Sequence, residues 1–127
     1  MEENTEHLGK ISNSPIGEVE LVAWKGGRVV VHFDCSEFSS HCPVTHQPDY
    51  GRIEISYVPK EKIIETKSLK LYLWSYRNVR KFNEGIVDQL AEQLFIMADP
   101  EWIEVIGNFN PRGGISVTAR AERGKRP

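Results

Sequence analysis

Two successive apolar stripes at helical spacing, with strand-like segments before and after them, restrict the possible folds of this chain more than any other feature. The first stripe recurs at i, i+3, i+4 and i+7 and consists of Leu69, Tyr72, Leu73 and Tyr76. The second consists of Ile86, Leu90, Leu94 and Met97. Asn83 is placed to cap the second helix, and the dipeptide at 99–100 is placed to end it. The pattern therefore predicts two consecutive helices, each with one buried face.

Segments of strand character stand on both sides of these helices. The segments at 19–24 and 28–33 flank a glycine-containing turn, which predicts a hairpin. Segment 52–58 alternates apolar and polar residues and ends at a proline, as a half-buried strand does. Two final strands are predicted at 103–109 and 115–121, separated by NPRGG. The order β-β-α-α-β-β predicts an α+β fold with helices on one face of an antiparallel sheet, whose exposed edges favour pairing between subunits.

Length and charge narrow the class of protein. The 127 residues, 39% of them hydrophobic, are enough for one domain with one core. The net charge of -2 argues against direct contact with nucleic acid, because a phosphate-binding surface needs an excess of Lys and Arg. No membrane partner is expected, because no apolar run approaches the roughly 18 residues of a membrane span. We expect a cytoplasmic protein with a flexible segment at 1–17, a single domain at 18–121 and a basic tail at 122–127.

The two cysteines differ in their sequence surroundings. Cys35 lies in a strand-like segment, where a small buried hydrophobe is the favoured interpretation. Cys42 lies in a loop stiffened by two prolines, and loops on rigid scaffolds are where reactive groups concentrate. From local sequence, Cys42 is either an incidental thiol in a turn or a nucleophile. A zinc site formed by Cys35, His41, Cys42 and His46 is disfavoured, because their spacing matches none of the usual zinc patterns.

Two carboxylates carry similar alternatives. Asp49, seven positions after Cys42, is either a turn residue or a general acid acting near the carbon that the thiol attacks. Glu84 is either a favourable first-turn carboxylate at a helix start or a partner for the N–H and amino edge of a guanine-like base. Local reasoning leaves both choices open.

Several motifs taken together resemble one known family. The segments EFSSHCPVTHQPDYGRIEISYVP, ETKSLKLYLWSYRN, FNEG, DP and NPRGG follow one another between about residues 32 and 118. They resemble the single-module NADPH-dependent 7-cyano-7-deazaguanine reductases of queuosine biosynthesis, the QueF type. The resemblance implies the tunnelling fold, with protomers assembled into rings, here a decamer of two pentamers, and with active sites at subunit interfaces.

The resemblance also implies roles for individual residues. Cys42 would attack the nitrile carbon to give a covalent thioimide, and Asp49 would donate protons during reduction. Two NADPH molecules would take this adduct through an imine to the primary amine of 7-aminomethyl-7-deazaguanine, with no metal required. The substrate-binding positions are matched by Ile64, Glu65, Thr66, Asn83 and Glu84. The cofactor-binding positions are matched by Thr66, Lys67, Lys70, Arg112 and Gly113.

One departure from the family pattern keeps alternatives open. Asn83 stands where the family has a histidine, and an asparagine carries no proton at neutral pH. Thr66 is a milder departure within the cofactor motif. Besides the reductase, the alternatives are a related enzyme that captures the nitrile for amidine formation on tRNA, against which ETKSLK argues, and a non-catalytic protein that binds a deazapurine or pterin. The presence of both Cys42 and Asp49 disfavours the non-catalytic alternative.

Overall fold

The computed structural model describes residues 16–127, so most of the predicted N-terminal segment, residues 1–15, lies outside the described part of the chain. The strands are β1 Leu21–Ala23, β2 Val31–His41, β3 Pro48–Val58, β4 Lys62–Ile64, β5 Trp102–Arg112 and β6 Ile115–Gly124. The helices are α1 Thr66–Trp74 and α2 Asn83–Ala98, with a 3₁₀ turn at Ser75–Asn78. None of the helices in 16–127 is long and apolar enough to cross a membrane.

A four-stranded antiparallel sheet carries both helices on one face. Its strand order is β2-β3-β5-β6, which leaves β2 and β6 at the edges. Helix α2 lies against β5 and β6, whereas α1 and the 3₁₀ turn lie against β2. On β3, Asp49, Gly51, Ile53, Ile55 and Tyr57 alternate toward the buried face. The predicted α+β fold is confirmed.

The helical stripes form the core against this sheet. Their buried members are Leu69, Tyr72, Leu73, Tyr76, Ile86, Leu90 and Leu94. Met97 is only partly buried. Helix α2 ends at Ala98, because Asp99 turns into the left-handed region (φ 47°) ahead of Pro100, as the predicted stop requires.

The cap predicted at Asn83 is wrong. The extended residue that precedes the helix is Phe82, with φ -63° and ψ 154°, and it provides no side-chain capping bond. Asn83 is therefore already inside the first turn. From that position its amide oxygen does not serve the exposed N–H groups that an N-cap side chain reaches.

The hairpin predicted between 19–24 and 28–33 is also wrong. β1 pairs with β4 in a separate two-stranded sheet, where Leu21 and Ile64 face each other and both enter the core. β2 instead pairs with β3 along most of its length. The long ladder forms because β2 continues to residue 41 through a bulge between Cys35 and Phe38, which interrupts the alternation expected of a strand.

The last two strands form a tight hairpin. Gly113 and Gly114 make its two-residue turn with φ of 61° and 81°, a geometry that glycine adopts without strain. At its other end β6 continues to Gly124, three residues past the predicted domain boundary at 121. Beyond the strand, the Arg126 guanidinium lies 5.4 Å from the centre of the Trp102 ring.

Candidate active site

The loop between β2 and β3 brings the candidate nucleophile and acid together. The Cys42 N–H donates to the Gln47 carbonyl at 2.9 Å, and the His46 N–H donates to the Cys42 carbonyl at 3.0 Å. These two bonds close the loop into a compact turn. β3 then returns antiparallel to β2, so that Asp49 lies opposite Ser40. Asp49 is thus a strand residue beside the nucleophile loop, not a turn residue.

The turn stabilises the thiolate of Cys42. The Thr45 hydroxyl, followed by the backbone N–H groups of Thr45 and Val44, hydrogen-bonds the sulfur and lowers the pKa of Cys42 below its usual value. Partial burial and the negative charge of Asp49 act in the opposite direction. The net effect favours the nucleophilic form of the thiol.

Cys35 has the opposite environment. It is half-buried on β2 and packs against the hydrophobic core. Burial raises the pKa of the Cys35 thiol, and the charges of Glu37 and Asp34 add to the rise. This agrees with the structural role predicted for Cys35.

Asp49 is buried and paired with Arg112. Its side chain is 8% exposed, and the Arg112 Nη1 donates to its Oδ1 at 2.5 Å. The Arg112 Nη2 donates to the Gln47 side-chain oxygen. Opposite Asp49, the Ser40 hydroxyl is buried without a hydrogen-bond partner among residues 16–127. The hairpin between β5 and β6 thus contributes a cation to the nucleophile loop.

The start of α2 lies beside the same loop. The His41 N–H donates to the Val79 carbonyl, and the Lys81 N–H donates to the His41 carbonyl, so the segment before α2 runs alongside the end of β2. The Asn83 amide oxygen is buried and has no hydrogen-bond partner in the described chain, and Glu84 is exposed. An unpaired acceptor beside an accessible carboxylate suits a ligand that presents N–H donors.

The remaining predicted substrate residues lie at the other end of the sheet. The Ile64 N–H donates to the Tyr57 hydroxyl at 2.9 Å. Tyr57 is eight positions beyond Asp49 on β3, which is about 26 Å along an extended strand. Within one chain, Ile64 and its neighbours therefore lie far from Cys42 and Asp49.

Glu65 has a structural role at that end. Its two carboxylate oxygens accept from the Lys67 and Ser68 N–H groups, each at 2.8 Å, and so cap α1. Thr66 is the first residue of the helix. The carboxylate of Glu65 is thus engaged within its own chain, which leaves the backbone of this segment and the Lys67 side chain as candidates for ligand contact.

Lys70 lies over a groove between α1 and the bulged part of β2. The groove has a volume of about 500 Å³ and is lined by Cys35, Leu73 and Trp74 among others, but not by Cys42. Lys67, Lys70 and Arg112 are cations of the kind that bind nucleotide phosphates. These three cations fit the phosphates of NADPH in their charge, but in a single chain they do not lie together at one end of the sheet.

Sequence reasoning missed two residues of this site. Thr45 activates the thiol, and Gln47 joins the loop to the β5–β6 hairpin. The available signal was their position between the two prolines of the loop. In a tight turn, a hydroxyl three residues after a cysteine is able to hydrogen-bond the cysteine sulfur. Within 16–127, no group of three or more His, Cys, Asp or Glu side chains is arranged to hold a metal ion.

Comparison with known proteins identifies the family. A family profile described as QueF-like protein matches residues 48–127. An NADPH-dependent 7-cyano-7-deazaguanine reductase of Anaeromyxobacter sp. (strain K) is 45% identical over 97 residues, which is 76% of this chain and 80% of that protein. This chain belongs to the QueF-like family. The profile match contains β3 to β6, and Cys42 precedes it.

Further relatives of the QueF-like protein carry the same name. The reductases of Bacteroides fragilis and Bacillus subtilis are each 50% identical over 95 residues, or 75% of this chain, and the matches span 63% and 58% of those proteins. Among solved structures, the apo form of the archaeosine synthase QueF-Like has a TM-score of 0.71 at 22% identity. That alignment covers 77% of this chain and 96% of the synthase, and it supports the fold.

Proposed function

We propose that this QueF-like protein is an NADPH-dependent reductase that converts 7-cyano-7-deazaguanine to 7-aminomethyl-7-deazaguanine in queuosine biosynthesis. The observation that carries the proposal is the pairing of an activated thiol, Cys42, in a compact loop with a buried carboxylate, Asp49, at the start of the strand that follows it. Curated relatives at 45% and 50% identity bear the name of this reductase. A reducing cytoplasm, the expected location, would keep the thiol free.

The chemistry assigns one task to each of these two residues. The Cys42 thiolate adds to the nitrile carbon, so that a C–S bond forms and the triple bond becomes a C=N double bond. Asp49 gives a proton to the nitrogen that has gained electron density. NADPH, when bound, supplies hydride to the carbon. Cys42 later leaves as a thiolate, which restores the nucleophile, and the path from nitrile to amine consumes two hydrides and two protons in all.

The start of α2 accounts for binding of the base. The Glu84 carboxylate accepts from the N–H and amino edge of the deazaguanine, which is a planar pair of donors. The Asn83 oxygen, buried and unpaired among the described residues, accepts a further hydrogen bond. Because Asn83 does not titrate near neutral pH, it holds the substrate without supplying a proton, and proton transfer is left to Asp49.

A complete site requires two chains. Ile64 and Thr66 of one chain lie far from its own Cys42, and we propose that they and the cofactor lysines serve the site of a neighbour in a homo-oligomer. Four large apolar side chains are exposed around Cys42. They are Val44 in the loop, Tyr50 near the start of β3, Phe82 before α2 and Ile115 in the β5–β6 hairpin. A neighbouring subunit that covers this surface would complete the site.

Intact mass measurement tests the function directly. Mixing the protein with 7-cyano-7-deazaguanine should add the mass of one substrate molecule per chain. Addition of NADPH should then remove the adduct as the cofactor is oxidised. Cys42→Ala should form no adduct and oxidise no cofactor while keeping its circular dichroism spectrum. Cys35→Ser is the matched control and should behave as the unmodified protein.

The same experiment distinguishes the alternative. An adduct that persists in the presence of NADPH would show a protein that captures the nitrile at Cys42 without hydride transfer. Absence of any adduct with a folded protein would contradict both functions.

A further inference from the structure

Arg112 connects three parts of the site that the sequence keeps far apart. It is the last residue of β5, yet its guanidinium reaches the buried Asp49 on β3 and the Gln47 side chain in the nucleophile loop. The Gln47 carbonyl in turn accepts from the Cys42 N–H at 2.9 Å. Arg112 therefore contacts the acid directly and the nucleophile through one intervening residue.

The charges in this arrangement act on the thiol in opposite directions. The negative charge of Asp49 raises the pKa of Cys42 and so opposes formation of the thiolate. A guanidinium 2.5 Å from that carboxylate places a compensating positive charge beside it. Without the compensation, a buried carboxylate next to the nucleophile would weaken the nucleophile.

We propose that Arg112 is a positioning residue for Cys42, which keeps the thiolate populated by balancing the negative charge of Asp49. This role is separate from the cofactor contact already proposed for Arg112. It rests on the proposed function only in taking Cys42 as the nucleophile. The thiol reactivity that it controls exists without substrate or cofactor.

Several segments around the thiol carry charged or titratable groups. The charged or titratable side chains on the segments around Cys42 are His41 and His46 on its own segment, Arg80 and Lys81 beside β2, Asp49 on β3 and Arg112 on β5. Among the described residues, the ion pair of Asp49 is made with Arg112. Arg112 is thus the cation placed to offset that carboxylate.

The test is the rate at which iodoacetamide alkylates Cys42 in the full chain without cofactor, measured across pH in a Cys35→Ser background. Arg112→Gln should slow alkylation roughly threefold on the acidic side of the profile, because the loss of thiolate is only partly offset by the higher nucleophilicity of a more basic thiol. The midpoint of the pH profile should move to higher pH. Arg112→Lys, which keeps the charge, should recover most of the rate.

Asp49→Asn separates this role from simple support of the loop. The single variant should alkylate faster than the parent, because it removes the opposing charge. Arg112→Gln combined with Asp49→Asn should return toward the parent rate, because the two charges act in opposite directions. Arg28→Gln removes an arginine that pairs at 2.5 Å with Glu101 at the other end of the sheet, and this control should change nothing.

Two results would overturn the proposal. One is an Arg112→Gln protein that alkylates as fast as its parent. The other is a double variant as slow as Arg112→Gln alone, which would mean that the loop had lost its shape rather than its charge balance. If Arg112→Gln does not fold, slower alkylation of Asp49→Asn than of the parent would also overturn the proposal. None of these rates depends on nitrile reduction, so failure of the proposed reaction would be seen separately in the adduct experiment.

Discussion

At the scale of single residues, the two cysteines show how different surroundings shift the pKa values of identical side chains in opposite directions. Cys42 receives hydrogen bonds from a turn, whereas Cys35 is half-buried in a strand beside two carboxylates. Local sequence left both roles of Cys42 open, because the donors that reach its sulfur are defined by loop geometry and not by composition. The family resemblance singled out Cys42 and Asp49, but it assigned no role to Thr45.

Thr45→Val should weaken the nucleophile. Removal of the hydroxyl takes away the largest cause of the lowered pKa of Cys42, so the pKa rises and less thiolate is present at any pH below it. We expect the rates of alkylation and of nitrile adduct formation to fall by roughly threefold near neutral pH. Thr45→Ser, which keeps the hydroxyl, is the matched control. Equal rates in the Val and Ser variants would show that the backbone donors alone activate the thiol.

At the scale of elements, periodicity predicted the helices well and the strand pairing poorly. Spacing within a helix reports directly which face is buried, so both stripes appear in the core. Strand pairing is decided by distant segments. The partner of β1 is β4, which lies some forty residues later, beyond what a local turn signal predicts. The bulge at Cys35 also concealed the length of β2.

Glu65→Ala should destabilise the fold by about 1 kcal/mol, the usual cost of losing an N-cap side chain. The reason is that two backbone donors of α1 lose the carboxylate that accepts from them. Urea unfolding followed by circular dichroism measures the change. Glu65→Asp, with a shorter carboxylate suited to capping, should retain most of the stability. Unchanged stability in Glu65→Ala would leave ligand binding as the role of this carboxylate.

Gly107→Ala should cost roughly 1–3 kcal/mol, the range for overpacking a core. A Cβ at this position would lie 2.6 Å from a Val87 methyl and 2.7 Å from the Phe109 ring, where α2 packs on the sheet. The matched control is Gly27→Ala, because no atom lies within 4 Å of the Cβ it would add. Thermal unfolding of both variants compares them, and similar melting temperatures would mean that α2 shifts to accept the methyl group.

At the scale of the whole molecule, motif order predicted candidate site residues but not the distances between them. Cys42 and Asp49 lie at one end of β3, and Ile64 and the start of α1 lie beyond its other end. A linear motif carries no information about distance across a sheet. The separation follows only from the extended path of β3, and it is the reason for our proposal that the motifs of one chain complete the site of another.

Complementation between two inactive variants tests this arrangement. Cys42→Ala lacks the nucleophile and Lys67→Glu opposes the cofactor phosphates, so each alone should oxidise no NADPH. When the two are co-expressed with different tags and purified through both, about a quarter of the sites in a randomly mixed ring should take an intact Cys42 from one chain and an intact Lys67 from its neighbour. Such sites should restore about a quarter of the parent activity.

The control for complementation pairs Cys42→Ala with Asp49→Asn. These two residues lie next to each other in one chain, so every site in the mixed ring takes both from the same chain and contains one of the two defects, and no activity should return. Activity in the first mixture and none in the second would place the two groups of residues on different chains of one site. Absence of activity in both mixtures, from assembled and folded rings, would mean that each chain completes its own site. The exposed apolar surface around Cys42 would then need another explanation.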